Sequence, residues 1–201
     1  MNEDVQTQTP KNPSDWVRQI LTEAQAKIQP NPWAMILATA DKEGKPSSRT
    51  VLLKQFDEAG FVFFTNSQSR KGRHLADNPF ASLTFYLPTI KKQIQVEGKV
   101  AMISPSESDD YWQTRPRESQ IGAWASAQSR KIPDDEEFEE RYGGFEKRFA
   151  DSESIPRPAH WNGYRLVPTQ IEIWMEGVHR LHRRYSYLRK NGSWCVSRLF
   201  P

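Results

Sequence analysis

The chain has 201 residues, of which 28 are lysine or arginine and 25 are aspartate or glutamate, for a formal net charge of +3. That length suits one domain with its own core, and so small a net charge disfavours a protein that coats nucleic acid with a basic face. The one cysteine, Cys195, excludes an intramolecular disulfide, and no apolar run approaches the length that spans a membrane. We therefore predict a cytoplasmic protein with no membrane segment, in which residues 1–13 form a disordered arm and residues 14–201 a single domain.

The first half of the chain is predicted to form one helix and then strands that short turns connect. Ser14 has the side chain of an N-cap, and apolar residues then recur at helical spacing through Ile28, just before Pro30 and Pro32. Apolar runs predict five strands, at residues 34–40, 47–56, 61–65, 81–87 and 92–103. Ser69 is expected to cap a short helix after the third strand, and Gly98 to mark a bulge in the fifth.

The second half is predicted to place helices before a final set of strands. Pro105 opens a helix to about residue 114, a second helix covers residues 134–149, and strands cover residues 164–174, 183–190 and 193–200. Asn191-Gly192 joins the last two strands and is a strong hairpin signal. Because hairpins dominate, we expect a mainly β fold with flanking helices, whose antiparallel sheet closes into a barrel and so removes its edges.

Cations and hydroxyls gather in two segments near strand ends. In Arg49-Thr-Val-Leu-Leu-Lys54 a cation stands at each end of an apolar run, as in an ordinary buried strand, but the five-residue spacing also puts one cation on each face. In Thr65-Asn-Ser-Gln-Ser-Arg70-Lys71 a strand leads into a helix whose first turn is basic. Since basic residues there oppose the helix dipole, either a bound phosphate or simple solvation has to account for them.

Two later segments complete the candidate site. Residues 111–124 combine two arginines, a tyrosine and a serine, which are the donors that a phosphate needs, although a solvated helix end has the same composition. Further on, Arg180 and His182 flank Leu181, so the two polar side chains would share one strand face and could orient a substrate. The alternative for this last segment is a basic edge strand.

The sequence contains no arrangement for covalent or acid–base chemistry without a cofactor. It has no P-loop, no dinucleotide fingerprint, no nucleophile elbow and no paired carboxylates on the site segments. His179-Arg-Leu-His182 lacks a carboxylate or cysteine companion, so no metal site is predicted, and His74 and His160 are interpreted as surface or loop histidines. The cationic segments therefore suit two anionic ligands, with the chemistry carried by a cofactor.

Taken in order, these segments resemble the pyridoxine (pyridoxamine) 5'-phosphate oxidase family. The likeness begins near Asp15 and runs through residues 49–54, 69–71, 115–124, 170–174, 179–182 and 198–201. It implies an FMN-binding split β-barrel that works as a homodimer, with FMN at the subunit interface. It also implies oxidation of pyridoxamine or pyridoxine 5'-phosphate to pyridoxal 5'-phosphate, in which hydride passes from substrate C4' to flavin N5 and O2 becomes hydrogen peroxide.

The resemblance assigns a role to each matching position. FMN would be bound by Arg49, Thr50, Val51, Leu52, Leu53, Lys54, Phe64, Thr65, Arg70, Lys71, Gln93, Gln128, Ser129, Trp174 and Arg184, with Arg70 and Lys71 on its phosphate. The substrate would be bound by Lys54, Tyr111, Arg115, Ser119, Arg180 and His182, and the last two would be the catalytic pair at the reacting carbon.

Two positions depart from the family pattern, and three alternatives stay open. Phe64 stands where a tyrosine is common, and residues 1–13 lack the Arg and Tyr pattern of a lid. A phenazine-type split-barrel oxidase would lack the Arg-Pro-x-x-Ser clamp, which Arg115, Pro116 and Ser119 supply here. A non-catalytic carrier of flavin or pyridoxal phosphate would bind FMN without turnover, and a nucleic-acid-binding barrel would expose aromatic side chains on one sheet face.

Overall fold

The computed structural model describes residues 9–27, 31, 33–132 and 134–201. Within this part of the chain there are five α-helices and nine β-strands. The helices are α1 (Pro13–Lys27), α2 (Arg70–Asp77), α3 (Pro105–Gln113), α4 (Arg117–Ala125) and α5 (Asp135–Arg148). The strands are β1 (Ala34–Ala40), β2 (Pro46–Leu52), β3 (Gln55–Asp57), β4 (Gly60–Asn66), β5 (Phe80–Leu87), β6 (Lys92–Met102), β7 (Trp161–Met175), β8 (Arg183–Lys190) and β9 (Ser193–Leu199). None of these helices has both the length and the apolar content that crossing a membrane requires.

The nine strands form one antiparallel sheet that splits along β7. Its path runs β2-β1-β5-β6-β7-β4-β3, and β8 and β9 lie off that path. Strand β7 pairs with two different strands along the same edge: residues 161–166 pair with β4, and residues 170–175 pair with β8. The pairings confirm the predicted fold, which is a mainly antiparallel split barrel with flanking helices.

The predicted strand over residues 47–56 is wrong, because the chain breaks at Leu53 and Lys54 into β2 and β3. The backbone N–H of Leu53 donates to the Trp33 carbonyl beside β1, at 2.9 Å, whereas that of Lys54 donates to the Val62 carbonyl in β4, at 2.8 Å. Two consecutive residues thus bond to opposite ends of the sheet path. We call this pair the seam, and it is where the curled sheet closes on itself.

The buried side chains of the protein form two hydrophobic clusters. The larger fills the barrel and packs against α1. The smaller holds α3, α4 and α5 together around Trp112, which is fully buried and donates its indole N–H to the Ile155 carbonyl at 2.7 Å. Truncating a buried tryptophan costs about 3–5 kcal/mol. The packing of Trp112 against Ile121 of α4 and Trp161 of β7 therefore holds α4 against the sheet.

Local signals in the sequence were confirmed at several points. Ser69 caps α2 by accepting a hydrogen bond from the Gly72 N–H, and the register of β6 against β7 shifts at Gly98. Asn191 and Gly192 have φ angles of 50° and 81°, as a two-residue hairpin with a right-handed twist requires. The cap and the hairpin depend on neighbours in sequence alone, whereas Gly98 is also required by β7, because a Cβ there would stand 2.1 Å from the Val167 carbonyl oxygen.

The N-terminal helix differs from its prediction at its start. It begins at Pro13, and Asn12 rather than Ser14 supplies the cap, since its side-chain oxygen accepts the Ser14 N–H at 3.0 Å. The expected end at Ile28, before Pro30 and Pro32, and the expected disorder of residues 1–8 lie outside the described residues. Pro10, within the predicted arm, accepts a hydrogen bond from the Tyr187 hydroxyl at 2.8 Å.

Candidate functional site

A cavity of about 550 Å³ lies between β2, β4 and the helices α2 to α4. Residues expected at the cofactor or the substrate form much of its wall: Thr50, Val51, Leu52, Lys54, Phe64, Thr65, Lys71, Tyr111, Arg115, Ser119 and Gln128. Segments far apart in sequence are therefore brought together as the resemblance implies. We call this space the central cavity.

Lys71 is a buried cation at one end of the central cavity. Its Nζ donates to Gln128 Oε1 at 2.7 Å and to Thr65 Oγ1 at 3.0 Å, and all three of these side chains line the cavity. Burial, together with the nearby charge of Arg49, lowers the pKa of Lys71 to about 8. Burial disfavours the charged form of Lys71, so an anion bound beside Nζ would stabilise that charge.

Arg49 and Arg70 join Lys71 in one cationic cluster. The guanidinium of Arg49 is fixed by hydrogen bonds to the Leu37 carbonyl, at 3.2 Å, and to Thr39 Oγ1, at 2.8 Å. Burial and the charge of Arg70 lower its pKa. In the described part of the chain, no carboxylate forms an ion pair with any of these three cations. The cluster stands at the N-terminus of α2, so it has the properties of a phosphate site.

Three nearly parallel aromatic rings form another wall of the cavity. Phe64 stacks on Tyr111 and Trp161, with ring centroids at 4.1 Å and 4.9 Å and interplanar angles of 14° and 12°, and the centroids of Tyr111 and Trp161 are 6.2 Å apart. Lys54 lies over Tyr111 at 5.9 Å, and Arg115 over Trp161 at 4.6 Å. The two cations expected at the substrate phosphate therefore stand over neighbouring rings of one aromatic group.

Arg115 has a buried hydrogen-bond donor that no protein group satisfies. Its Nη2 donates to the Ser119 carbonyl at 2.9 Å, but its Nε is buried and lacks a partner in the described structure. Burial also lowers the pKa of its guanidinium. An unsatisfied buried donor on a cation costs about 1–3 kcal/mol or more. Because Nε is shielded from the central cavity, an anion there would meet the charge of the guanidinium rather than this nitrogen.

Three expected cofactor residues lie on one rung of the sheet, outside the central cavity. Gln93 pairs with Trp174 across β6 and β7, and Trp174 pairs with Arg184 across β7 and β8, so the three side chains share one face. Arg184 is engaged by Glu172 through two hydrogen bonds of 2.7 Å and 3.0 Å. This group of residues does not line the cavity of a single chain.

Arg180 and His182 do not share a strand face, so that expectation is wrong. They lie in a tight turn before β8, in which Gly177 is needed because a Cβ there would stand 1.9 Å from the Leu181 carbonyl oxygen. The Gly177 N–H donates to Nδ1 of His182 at 3.3 Å, and the His182 ring packs on Trp174 with centroids 4.7 Å apart. Arg180 is exposed and has a φ of 64°, a conformation that costs an arginine about 1 kcal/mol or more.

Four other expected residues fall outside the cavity, and several were missed. Leu53 is in the barrel core, Ser129 lines a neighbouring groove with a φ of 69°, and Arg49 and Arg70 lie beside Lys71 without lining the cavity. The cavity wall that sequence reasoning missed consists of Asn66, Pro116, Gly122, Ala123, Ser126 and Trp161. Helix α4, which carries Gly122 and Ala123 and is flanked by Pro116 and Ser126, was not predicted, and Trp161 precedes the strand predicted at residues 164–174. A signal for α4 does exist, in the acidic first turn after Pro116.

Comparisons with known proteins agree with this geometry. Residues 21–144 match a family model described as pyridoxamine 5'-phosphate oxidase, and residues 161–201 match one described as the pyridoxine 5'-phosphate oxidase C-terminal dimerisation region. A pyridoxine/pyridoxamine 5'-phosphate oxidase of Myxococcus xanthus is 44% identical over 96% of this chain and 93% of its own. One of Pseudomonas fluorescens is 46% identical over 92% of this chain and 85% of its own.

Solved structures give the same answer for the fold. The crystal structure of PhzG from Burkholderia lata, in complex with tetrahydrophenazine-1-carboxylic acid, has a TM-score of 0.89 at 32% identity and covers 96% of this chain and 95% of its own. A pyridoxamine 5'-phosphate oxidase-related, FMN binding protein of Nostoc punctiforme has a TM-score of 0.75 at 18% identity, over 97% of this chain and 99% of its own.

The antiparallel sheet that splits along β7, with a cationic cavity at the start of α2, places this protein in the split-barrel class. Both family models and the curated relatives then agree on the family within that class. The chain belongs to the pyridoxamine 5'-phosphate oxidase family.

Proposed function

We propose that this protein binds FMN and oxidises pyridoxamine or pyridoxine 5'-phosphate to pyridoxal 5'-phosphate, with O2 as the electron acceptor. The observation that carries the proposal is that two separate cations, Lys71 and Arg115, line the central cavity and form no ion pair with a carboxylate among the described residues. Arg49 and Arg70 lie beside Lys71 and add to the first of these two cationic sites. A phosphorylated cofactor and a phosphorylated substrate would need one such site each.

The residues present fit FMN. Lys71 and Arg70 would hold its phosphate at the start of α2, with Arg49 beside them, and Thr65 and Gln128 would offer hydrogen bonds once Lys71 turns to the ligand. Residues 50–52 and 54 would line the rest of the cofactor, and Gln93, Trp174, Ser129 and Arg184 stay proposed contacts. When bound, the flavin supplies the capacity to take two electrons from the substrate and pass them to O2.

The clamp for the substrate phosphate would consist of Tyr111, Arg115 and Ser119, with Lys54 over the ring of Tyr111. Arg115 lines the central cavity, and Trp161 and Trp112 hold its guanidinium by their ring faces. The site would therefore select for an anionic tail on the substrate before any chemistry takes place.

The site would be completed by a second copy of the chain. Four of the expected residues that fall outside the cavity, Trp174, Arg180, His182 and Arg184, belong to the matched dimerisation region, and Gln93 adjoins them on the sheet. Large apolar side chains are exposed on this part of the surface, including Val178 at 77% and Phe200 at 93%. In a homodimer these side chains would be covered, and the strained turn would present Arg180 and His182 to the other subunit's cavity.

The direct test is a spectrum and an assay. The purified protein is expected to be yellow or to become so with added FMN, and to form pyridoxal 5'-phosphate from pyridoxine 5'-phosphate in air. A protein that stays colourless after reconstitution would remove the cofactor from the proposal. A yellow protein without turnover would leave the non-catalytic alternative in its place.

Mixing two inactive variants tests whether subunits share a site. Arg115→Ala and Arg180→Ala proteins are each expected to have low turnover, because each lacks one group of every shared site. After co-refolding, random pairing should restore about a quarter of the wild-type sites, since half of the dimers then contain one intact site. No recovery in the mixed sample, despite dimers, would show that both arginines act within one subunit.

The structural similarity to PhzG favours one second candidate, a phenazine-type oxidase acting on a carboxylated tricyclic substrate. Both the 44–46% identity to pyridoxine/pyridoxamine 5'-phosphate oxidases and the presence of Arg115, Pro116 and Ser119 count against it. Turnover of a dihydrophenazine carboxylate, with none of pyridoxine 5'-phosphate, would reverse this preference.

A further inference from the structure

A buried histidine lies behind the cationic cluster, and none of the roles above uses it. His74 is only 6% exposed, so its interpretation as a surface or loop histidine is wrong. It lies one turn after Arg70 and Lys71 on α2, and its Nδ1 is 3.2 Å from Thr39 Oγ1 in β1. The same Thr39 oxygen is 2.8 Å from Nη1 of Arg49 in β2. Three elements of the fold are thus joined by one short chain of hydrogen bonds.

The chemistry of the three groups sets the direction of these bonds. A guanidinium can only donate, so Thr39 Oγ1 must accept from Arg49. The threonine's own proton is then free to be donated to Nδ1 of His74, which leaves the ring proton on Nε2. In this arrangement each polar atom of Thr39 is used, and Thr39 itself is only 3% exposed, so water does not compete for it.

We propose that Thr39 and His74 form a positioning pair that holds Arg49 in place for the phosphate of the cofactor, an inference that rests on the proposed binding of FMN. Arg49 comes from β2, whereas Arg70 and Lys71 come from α2. The pair fixes the distance between these two sources of charge, because His74 is part of the same helix. Without the Thr39 hydroxyl, the Arg49 guanidinium keeps its hydrogen bonds to the Leu37 carbonyl and to Ser47 Oγ. It loses the hydrogen bond that links it, through Thr39 and His74, to α2.

The experiment compares FMN with riboflavin, which has the same ring system but no phosphate. Dissociation constants for both are measured by flavin fluorescence on apoprotein of the wild type and of Thr39→Val, which keeps the shape of the side chain and removes its hydroxyl. Thr39→Ser, which keeps the hydroxyl, is the matched control. We expect Thr39→Val to weaken FMN roughly tenfold, to leave riboflavin unchanged, and to be rescued in Thr39→Ser.

A second pair of variants approaches the same bond from α2. His74→Leu removes the acceptor, whereas His74→Asn places a carbonyl oxygen near the former Nδ1, so the first should act like Thr39→Val and the second like the wild type. Equal losses of FMN and riboflavin would show a general structural role and overturn the inference, as would unchanged FMN affinity in both Thr39→Val and His74→Leu. A wild-type protein that binds no FMN would instead count against the proposed function.

Discussion

Replacing Arg115 by alanine is expected to raise the KM for pyridoxine 5'-phosphate roughly a hundredfold, while the protein keeps its FMN. The reason is the charge of this guanidinium at the cavity wall and its fixed plane, which Trp161 and Trp112 hold at 4.6 Å and 5.4 Å. A charge fixed in that way loses little entropy on binding a phosphate, so its removal takes away a large share of the affinity. Steady-state kinetics and the flavin absorbance of the same sample measure both effects.

Arg117→Ala is the matched control, because Arg117 is two residues away and its contacts are structural. Its guanidinium donates to the backbone carbonyls of Ser152 and Phe149, so it ties α4 to the end of α5. This variant should lower the melting temperature and leave the KM close to that of the wild type. If Arg115→Ala lost FMN and kept its KM, the clamp would have been assigned to the wrong ligand.

Replacing Lys71 by methionine is expected to weaken FMN roughly a hundredfold, with a smaller effect on riboflavin. Methionine keeps much of the buried stem of the lysine, so the cavity wall near Thr65 and Gln128 stays filled. Arg73→Met, on the exposed side of the same helix, is the matched control and should bind FMN as the wild type does. A Lys71→Met protein with normal FMN affinity would leave the phosphate to Arg49 and Arg70 alone.

The pH dependence of FMN binding gives an independent check on Lys71. Because its pKa is about 8 in the free protein, the side chain is charged at pH 7 but must take up a proton to meet the phosphate at higher pH. FMN affinity should therefore fall roughly tenfold between pH 7 and pH 9, whereas Lys71→Arg should show little change over that range. The stability of the free protein depends on pH in the opposite direction. The free energy of unfolding should rise with pH between about 8 and 10.5, the ordinary pKa of lysine, since the unfolded chain then holds the extra proton.

The parts of this fold that the sequence could predict are those that neighbouring residues decide. The Ser69 cap and the Asn191-Gly192 hairpin each follow from one or two side chains and their local preferences. The seam could not be predicted in this way. Residues 47–56 have the composition of one strand, and the break occurs because Leu53 continues the β1–β2 ladder to Trp33, whereas Lys54 continues the β3–β4 ladder to Val62.

Some residues of the candidate site could likewise be predicted from the sequence, and others could not. The family resemblance placed Lys71, Arg115 and Gln128 in one cavity, and the structure confirms that they line it. Trp161 was missed because a single tryptophan after a proline-containing loop has no period that would reveal it. The burial of His74 was missed as well, since one polar helix turn looks the same in sequence whether it faces solvent or Thr39. Tertiary packing alone decides both positions.

The seam also has a consequence for how the protein is made. Leu53 and Lys54 each extend a local hairpin, β1–β2 and β3–β4, but on the sheet path these hairpins are joined only through β5, β6 and β7. The pairing of β4 with β7 joins residues as distant in sequence as Phe61 and Leu166, and such contacts form late, because the entropy of closing long loops opposes them. Lys54 enters the cavity wall directly from the seam. A nascent or partly folded chain therefore has no complete ligand site, and ligand present in the cell can act only on the closed barrel, which it would hold closed.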